Sequence, residues 1–188
     1  RLFSENGFTG TSIRMIAKEL NLNEGSLYNY FAGKKDLYNQ ILQRFSERLI
    51  LSGMSKPDRH SMDPSNSLFE LLRADAEQFF AGTRNQEATE MWRILMMEQY
   101  RHRETGEFVR RVVLKAPEEH LLKLLVELRA LGKVRPAAAL EPAARTLAAI
   151  FFNYSFRANL EHFWEGNAEG LWHQLEAELR AFSELIET

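Results

Sequence analysis

The chain has 188 residues, 45% of them hydrophobic, and is therefore long enough to bury a full core as one large or two small domains. Its 24 basic and 26 acidic side chains give a formal net charge of -2, which excludes overall basicity as a sign of nucleic-acid binding and directs attention to a local patch. The absence of cysteine excludes a disulfide framework, a thiolate metal site and a cysteine nucleophile, and it suits a reducing cytoplasm.

Targeting and membrane signals are weak. No signal-peptide pattern opens the chain, and the longest apolar run, residues 146–156, is shorter than the roughly 20 residues that a bilayer requires. We therefore expect a cytoplasmic protein without membrane contact. The first residues, Arg1 to Phe3, read like the end of an amphipathic helix, so we expect the native N-terminus to precede them.

Apolar residues recur every three or four positions along most of the chain, which predicts an all-α fold. A stretch rich in Ser, Pro and Gly at residues 52–67 predicts a loop, and we place a domain boundary beside it, with domains at residues 1–48 and 49–188. Beyond the loop, the predicted helices cover residues 66–82, 87–102, 107–131, 142–164 and 168–187. Pro117 is expected to kink or restart the third of these.

The most informative feature is a pair of short helices between residues 11 and 31. Thr11 is a candidate N-cap for the first helix, Asn21 suits a left-handed turn, and Asn23 is a candidate N-cap for the second. In the second helix Leu27 and Phe31 point inward. The outward residues are small, polar or aromatic, and such a face can enter a major groove and meet base edges. These residues are Glu24, Gly25, Ser26, Tyr28 and Asn29.

The next predicted helix starts with Lys34 and Lys35. Positive charge in a first helical turn opposes the helix dipole, so an external anion such as a DNA phosphate would stabilise it. Lys35 is equally well explained as a solvated surface lysine. Residues 1–50 contain seven basic and five acidic side chains, so this unit is weakly positive while the remainder is negative.

The segment resembles the N-terminal motif of the TetR family of bacterial transcription regulators. The resemblance rests on LFSENGFTGTSIRMIAKELNLNEGSLYNYFAGKKDL, residues 2–37, which combines about a dozen family positions without a gap. It implies a three-helix helix-turn-helix DNA-binding domain followed by a helical ligand-binding and dimerisation domain. It also implies DNA contacts from Ser12 and Arg14 on the first helix and from the outward face of the second.

The same resemblance gives Tyr30 and Lys34 contacts to phosphates. Two positions depart from the family pattern. Asn21 stands where glycine is usual, and Glu24 stands where a neutral residue is common. Glu24 would either read a cytosine amine or stabilise the helix start.

Two C-terminal segments predict a dimer interface. Residues 145–164 are bulky and apolar around most of the helix, and the last helix carries a continuous apolar stripe. The expected interface residues are Phe151, Tyr154, Leu171, Trp172, Leu175, Leu179 and Phe182. A two-fold dimer would read a palindrome with half-sites about one helical turn apart. The alternative is that both stripes pack only within one chain.

A further group of adaptable apolar side chains is a candidate lining for a ligand cavity. The group consists of Phe79, Trp92, Met96, Tyr100 and Phe152. Arg93 or Asn153 would be a polar anchor. The alternative is that the group is ordinary core.

The residue patterns of catalysis and metal binding were not found in the sequence. The five histidines lack the H-x-x-x-H spacing, which predicts surface histidines and no metal site. No G-x-S-x-G or phosphate-binding glycine loop occurs, and the glutamates are expected on solvated helix faces. We expect no cofactor and no enzyme activity.

The leading hypothesis is a ligand-responsive repressor. A dimer without ligand binds double-stranded operator DNA, and an unidentified small molecule shifts the helix at residues 37–49 and changes the separation of the two recognition helices. One alternative is a helical small-molecule carrier or enzyme with a vestigial helix-turn-helix. Another is a constitutive DNA-binding protein whose core is filled.

Overall fold

A computed structural model describes residues 1–52, 65–81, 85–163 and 169–188. The helices are α1 (Leu2–Gly10), α2 (Ile13–Glu19), α3 (Glu24–Tyr28), α4 (Lys34–Ser52), α5 (Leu68–Ala81), α6 (Gln86–Glu98), α7 (Arg103–Phe108), α8 (Ala116–Ala130), α9 (Leu140–Phe163) and α10 (Glu169–Ile186). The all-α prediction is confirmed. The predicted loop at residues 52–67 lies mostly outside the described residues.

The predicted long helix at residues 107–131 is interrupted. A π-helical segment, Val109–Lys115, joins α7 to α8, and Pro117 lies in the first turn of α8. Proline is tolerated there because the first turn needs no intrahelical N–H donor, so the predicted restart is confirmed. In the described parts of the chain, no helix is both long and apolar enough to cross a membrane.

The start of α2 differs from the prediction. Ser12, not Thr11, is the N-cap, and its hydroxyl accepts a hydrogen bond from the Met15 N–H at 3.1 Å. The Thr11 hydroxyl instead donates to the carbonyl oxygen of Gly7 at 2.8 Å. Thr11 therefore holds the end of α1, and its assignment as a cap was wrong.

The turn between α2 and α3 has the predicted chemistry. Asn21 has a φ of 53°, in the left-handed region that asparagine tolerates. Asn23 caps α3 by accepting a hydrogen bond from the Ser26 N–H at 2.7 Å. Leu27 is the buried residue of α3. These contacts fix the two short helices as a tight helix-turn-helix.

Two clusters of buried apolar side chains form the core. The headpiece cluster joins α1–α4 to α6, α7 and the π-helical segment, and its members include Phe3, Ile16, Leu27, Tyr38, Leu42, Met91, Leu95 and Phe108. The bundle cluster joins α5, α8, α9 and α10, and its members include Leu72, Phe80, Leu121, Leu125, Leu147, Phe151, Leu175 and Leu179. The boundary between residues 48 and 49 stays a prediction, and the headpiece cluster contains residues from both sides of it.

Candidate nucleic-acid interface and internal cavity

Most residues predicted to contact DNA are exposed. They are Ser12, Arg14, Glu24, Gly25, Tyr28, Asn29, Tyr30 and Lys35, whereas Ser26 and Lys34 are half-buried. Tyr28 is 55% exposed and Tyr30 is 76% exposed. Aromatic rings of this size usually bury much of their surface, so two such rings at the end of one short helix and just after it suit a face that is covered by a partner.

Two residues of this face also serve the capping of α3. The Ser26 hydroxyl donates to Asn23 Oδ1 at 3.0 Å, beside the bond from the Ser26 N–H. A Cβ added at Gly25 would lie 3.3 Å from the same oxygen. The cap therefore accounts for a small residue at Gly25 before any DNA contact is considered.

The two lysines of α4 have protein partners. Lys34 Nζ donates to the carbonyl oxygens of Phe8 and Thr11, both at 2.8 Å, and lies 4.4 Å from the centre of the Phe8 ring. Lys35 Nζ pairs with Glu104 at 2.6 Å. Lys34 thus joins the start of α4 to the end of α1, where the ammonium group satisfies carbonyl groups that the helix leaves unpaired. Phosphate binding by either lysine stays a prediction.

A buried carboxylate connects α6 to α1. Glu98, the last residue of α6, is 1% exposed, and its Oε1 accepts a hydrogen bond from the Phe8 N–H at 2.9 Å. Glu98 Oε2 lies 3.4 Å from Nε2 of His102, whose ring is 4.5 Å from that of Phe8. The expectation that the glutamates are solvated was wrong for Glu98.

Gly7 makes the approach of this carboxylate possible. It interrupts α1 with a φ of 70°, a region that residues with a Cβ rarely adopt. A Cβ at Gly7 would lie only 2.6 Å from Glu98 Oε1. Backbone conformation and close contact therefore both require glycine there.

A partly open cavity of about 70 Å³ lies between the two clusters. Its lining comes from α4, α5, α6, the π-helical segment, α8 and α9, and consists of Phe45, Phe79, Ala88, Trp92, Leu95, Val112, Val113, Pro117, Ala148, Phe151, Phe152, Ser155 and Asn159. π-helical turns are often found at functional sites. The cavity is the structural candidate for a ligand site.

Three of the predicted pocket residues line the cavity: Phe79, Trp92 and Phe152. Met96 is absent from the lining and packs against the headpiece cluster instead. Tyr100 lies beyond the end of α6 and is 92% exposed. The assignments of Met96 and Tyr100 to the pocket were wrong.

The suggested polar anchors also differ. Asn153 is exposed on α9, and neither it nor Arg93 lines the cavity. The polar side chains of the lining are Ser155 and Asn159, where the Asn159 amide donates to the Ser155 carbonyl at 2.8 Å. Residue type alone could not find them, because the side of α9 that faces the cavity depends on its neighbours.

Five of the predicted dimer residues are buried within one chain. They are Phe151, Leu171, Leu175, Leu179 and Phe182. The prediction was wrong for them because α9 and α10 use these stripes to pack against α5 and α8. Tyr154 and Trp172 are half-buried and contact each other at 5.9 Å between ring centres. Other apolar side chains of the two helices are exposed: Phe156, Leu160 and Leu185.

A buried ion pair was missed. His120 of α8 lies 2.8 Å from Asp75 of α5, and both side chains are buried, so the surface prediction was wrong for His120. Burial alone would lower the pKa of His120, but the hydrogen bond and the charge of Asp75 outweigh it and raise that pKa. No group of three or more potential metal ligands occurs among the described residues.

Comparisons with known proteins agree with this geometry. Residues 1–41 match the family model described as bacterial regulatory proteins, tetR family. The chain is 49% identical over 74 residues to IcaR of Staphylococcus aureus, named as the negative transcriptional regulator of the biofilm operon icaADBC. That match covers 38% of each chain, so it extends over well under half of the curated relative.

Solved structures show the same fold over the whole chain. A TetR-family transcriptional regulator from Mesorhizobium loti superposes with a TM-score of 0.76 at 16% identity, covering 100% of this chain and 92% of that one. A complex of SmeT with triclosan gives a TM-score of 0.72 at 19% identity, covering 99% and 86%. SmeT is named as the repressor of a Stenotrophomonas maltophilia multidrug efflux pump.

The capped α2–α3 pair and the helical bundle behind it define a helix-turn-helix protein with an all-helical second domain. The N-terminal segment, residues 1–41, is similar to the corresponding segment of the TetR family of bacterial regulatory proteins. The solved structures show that the chain as a whole shares the fold of TetR-family regulators.

Proposed function

We propose that this chain is a sequence-specific, DNA-binding transcriptional repressor that leaves a palindromic operator when a small molecule binds. The observation that carries the proposal is the exposed pair of tyrosines on the capped helix-turn-helix, Tyr28 and Tyr30. The naming of IcaR as a negative regulator and the complex of SmeT with triclosan support repression and ligand control. On this proposal the protein acts in the cytoplasm and is not an enzyme.

Two helices that line the cavity also hold α1, and this supports ligand control. Trp92 and Leu95 of α6 line the cavity, and Glu98 at the end of α6 binds the Phe8 N–H. Phe45 of α4 lines it as well, and α4 begins at the lysine that binds the Phe8 carbonyl. A ligand that widens the cavity would therefore displace α1, and with it the helix-turn-helix.

We propose a homodimer because one short recognition helix reads few base pairs. The buried stripes of α9 and α10 cannot form its interface. Phe156 and Leu160 on α9, with Leu185 on α10, are exposed apolar residues and are better candidates. An isologous contact between two copies would cover them.

The experiment is fluorescence anisotropy with labelled DNA that flanks the gene, with scrambled DNA of equal length, at two salt concentrations. We expect tight binding to the flanking DNA that weakens with salt, because phosphate contacts release counterions. Tyr28→Ala should weaken this binding about fivefold or more, given a contact worth about 1–3 kcal/mol. Tyr100→Ala removes an exposed tyrosine outside the motif and should change nothing.

Equal and weak binding to both DNAs would contradict the proposal, since it would mean that the motif no longer reads sequence. Equal losses in the Tyr28 and Tyr100 variants would contradict the role of α3. Size-exclusion chromatography of both variants must show the wild-type oligomer, so that weaker DNA binding reflects the DNA-binding surface and not the assembly.

A further inference from the structure

The cavity lining carries no charge among the described residues. Eleven of its thirteen side chains are apolar, and the other two are Ser155 and Asn159. A charged group that entered it would lose its hydration and meet no opposite charge, at a cost of several kcal/mol. The lining therefore excludes charged ligands.

The apolar part of the lining is largely aromatic. Its rings are Phe45, Phe79, Trp92, Phe151 and Phe152. The Phe79 and Phe151 rings are 5.3 Å apart and tilted by 52°, and the Trp92 and Phe152 rings are 5.8 Å apart and tilted by 49°. Such tilted rings accept another ring by edge or offset contacts, which favours a planar aromatic ligand.

The polar part lies on one helix. Ser155 and Asn159 are one turn apart on α9, and their hydrogen bond uses the Asn159 Nδ2 and a backbone carbonyl. The Ser155 hydroxyl can donate or accept, and the Asn159 amide oxygen can accept. One hydroxyl or N–H group on the ligand matches this end of the cavity.

The small size of the cavity means that binding of a larger ligand must move side chains or helices of its wall. Its volume of about 70 Å³ is smaller than the roughly 150 Å³ of a cavity that holds benzene. A ligand with two aromatic rings must therefore displace part of the wall. Trp92 is one of the half-buried rings of the lining, and it belongs to α6, the helix that holds α1 through Glu98.

We propose that the effector of this chain is an uncharged aromatic molecule with one hydrogen-bonding group, which binds among the rings of the cavity and places that group against Ser155 and Asn159. The inference deepens the proposed function and depends on it for the effect on DNA. Occupation of the cavity by this class of molecule can be tested without DNA.

The test uses two fluorescent probes with the same ring system. N-phenylnaphthylamine is uncharged and has one N–H group, whereas anilinonaphthalene sulfonate adds a negative charge. Titration of the full-length chain should show saturable binding of the uncharged probe at one site per chain, at least about tenfold tighter than that of the sulfonate.

Ala148→Leu puts a larger side chain into the lining and should weaken binding of the uncharged probe about tenfold or more. Ala130→Leu, at an exposed position of α8, is the matched control and should change nothing. Asn159→Asp keeps the size of the side chain but replaces the amide, which donates to the Ser155 carbonyl, by a charged carboxylate, and should also weaken binding. Its control is Asn153→Asp, on the exposed side of the same helix.

Equal affinity for the two probes would overturn the inference, as would unchanged binding in both the Ala148 and the Asn159 variants. Circular dichroism checks that each variant folds, and Asn159→Asp tests the site even if Ala148→Leu does not fold. Operator binding without probe separates the two proposals. Specific DNA binding without probe binding refutes only the effector class, and probe binding without specific DNA binding refutes only the repressor.

Discussion

The contribution of the buried Glu98 carboxylate, which connects α6 to α1, to the free energy of unfolding can be measured. Glu98→Ala removes the acceptor of the Phe8 N–H, and a polar group left without a partner costs about 1–3 kcal/mol. The truncation also removes buried methylene groups, each worth about 0.8 kcal/mol. Relief of a buried charge offsets part of this loss, so we expect Glu98→Ala to lower the free energy of unfolding by about 2–4 kcal/mol.

Glu98→Gln separates the hydrogen bond from the charge. The amide oxygen of glutamine can still accept from the Phe8 N–H, so we expect a loss of about 1 kcal/mol or less. Urea denaturation measures both losses, and hydrogen exchange at the Phe8 amide reports the bond itself. Exchange should accelerate in the alanine variant and stay close to wild type in the glutamine variant.

A control on the surface completes the test. Glu107 pairs with Arg103 at 2.8 Å but is exposed, so Glu107→Ala should leave the stability unchanged. A loss below about 0.5 kcal/mol for Glu98→Ala would refute the reasoning, because a stranded donor must cost more than that. Equal losses for alanine and glutamine would assign the effect to charge and remove the hydrogen bond from the explanation.

Three further outcomes follow from the structure. Lys34→Ala should lower the free energy of unfolding by about 1–2 kcal/mol in urea denaturation, since it leaves two carbonyl groups unpaired, whereas Lys35→Ala should not. Because the pKa of His120 is raised, its pair with Asp75 should stabilise the fold below about pH 6.5 and lose that contribution as the pH rises through the raised pKa; unfolding measured across pH in wild type and His120→Gln checks this. Ala148→Leu should raise the free energy of unfolding by up to about 2 kcal/mol, since each Å³ of void costs about 24 cal/mol; a decrease would mean that the cavity cannot accept the side chain.

Local chemistry explains why the helix-turn-helix could be predicted. Asn21 and Asn23 act within three residues of themselves, so their roles depend on the sequence around them and little else. Even here the N-cap of α2 is one residue later than predicted. The Thr11 hydroxyl donates to a carbonyl of α1, and Ser12 caps α2. Such a choice depends on where α1 ends, and the spacing of apolar residues does not show it.

Helical spacing could predict which charged residues are buried, but it could not predict their bonding partners. Asp75 follows Leu68, Leu71 and Leu72 at helical spacing, and Glu98 continues the stripe of Ile94 and Leu95. A charged residue in phase with an apolar stripe is in itself a signal of burial. The partner of such a residue cannot be predicted from this spacing. Glu98 accepts a hydrogen bond from an amide 90 residues away, and only the tertiary fold brings the two together.

The same reason limited the dimer and pocket predictions. A helix that is apolar on most sides must be covered, but the sequence does not say whether its own chain or a second copy covers it. Here α9 lies against both α8 and α10, so Leu147 and Phe151 are buried inside one chain. Tyr100 failed as a pocket residue because the end of α6 was predicted four residues too late.

Phe8 is the residue on which the two routes from the cavity converge. Its N–H binds the end of α6 and its carbonyl binds the start of α4, while its ring packs on Tyr38 at 5.1 Å. Both helices also line the cavity, so displacement of either changes a bond to the same residue. Thr11 lies between α1 and α2 and is held by both α1 and α4, because its hydroxyl donates to the Gly7 carbonyl and its own carbonyl accepts from Lys34 Nζ. We therefore expect an effector to act on the helix-turn-helix through α1, and not only through the shift of α4 that the sequence suggested.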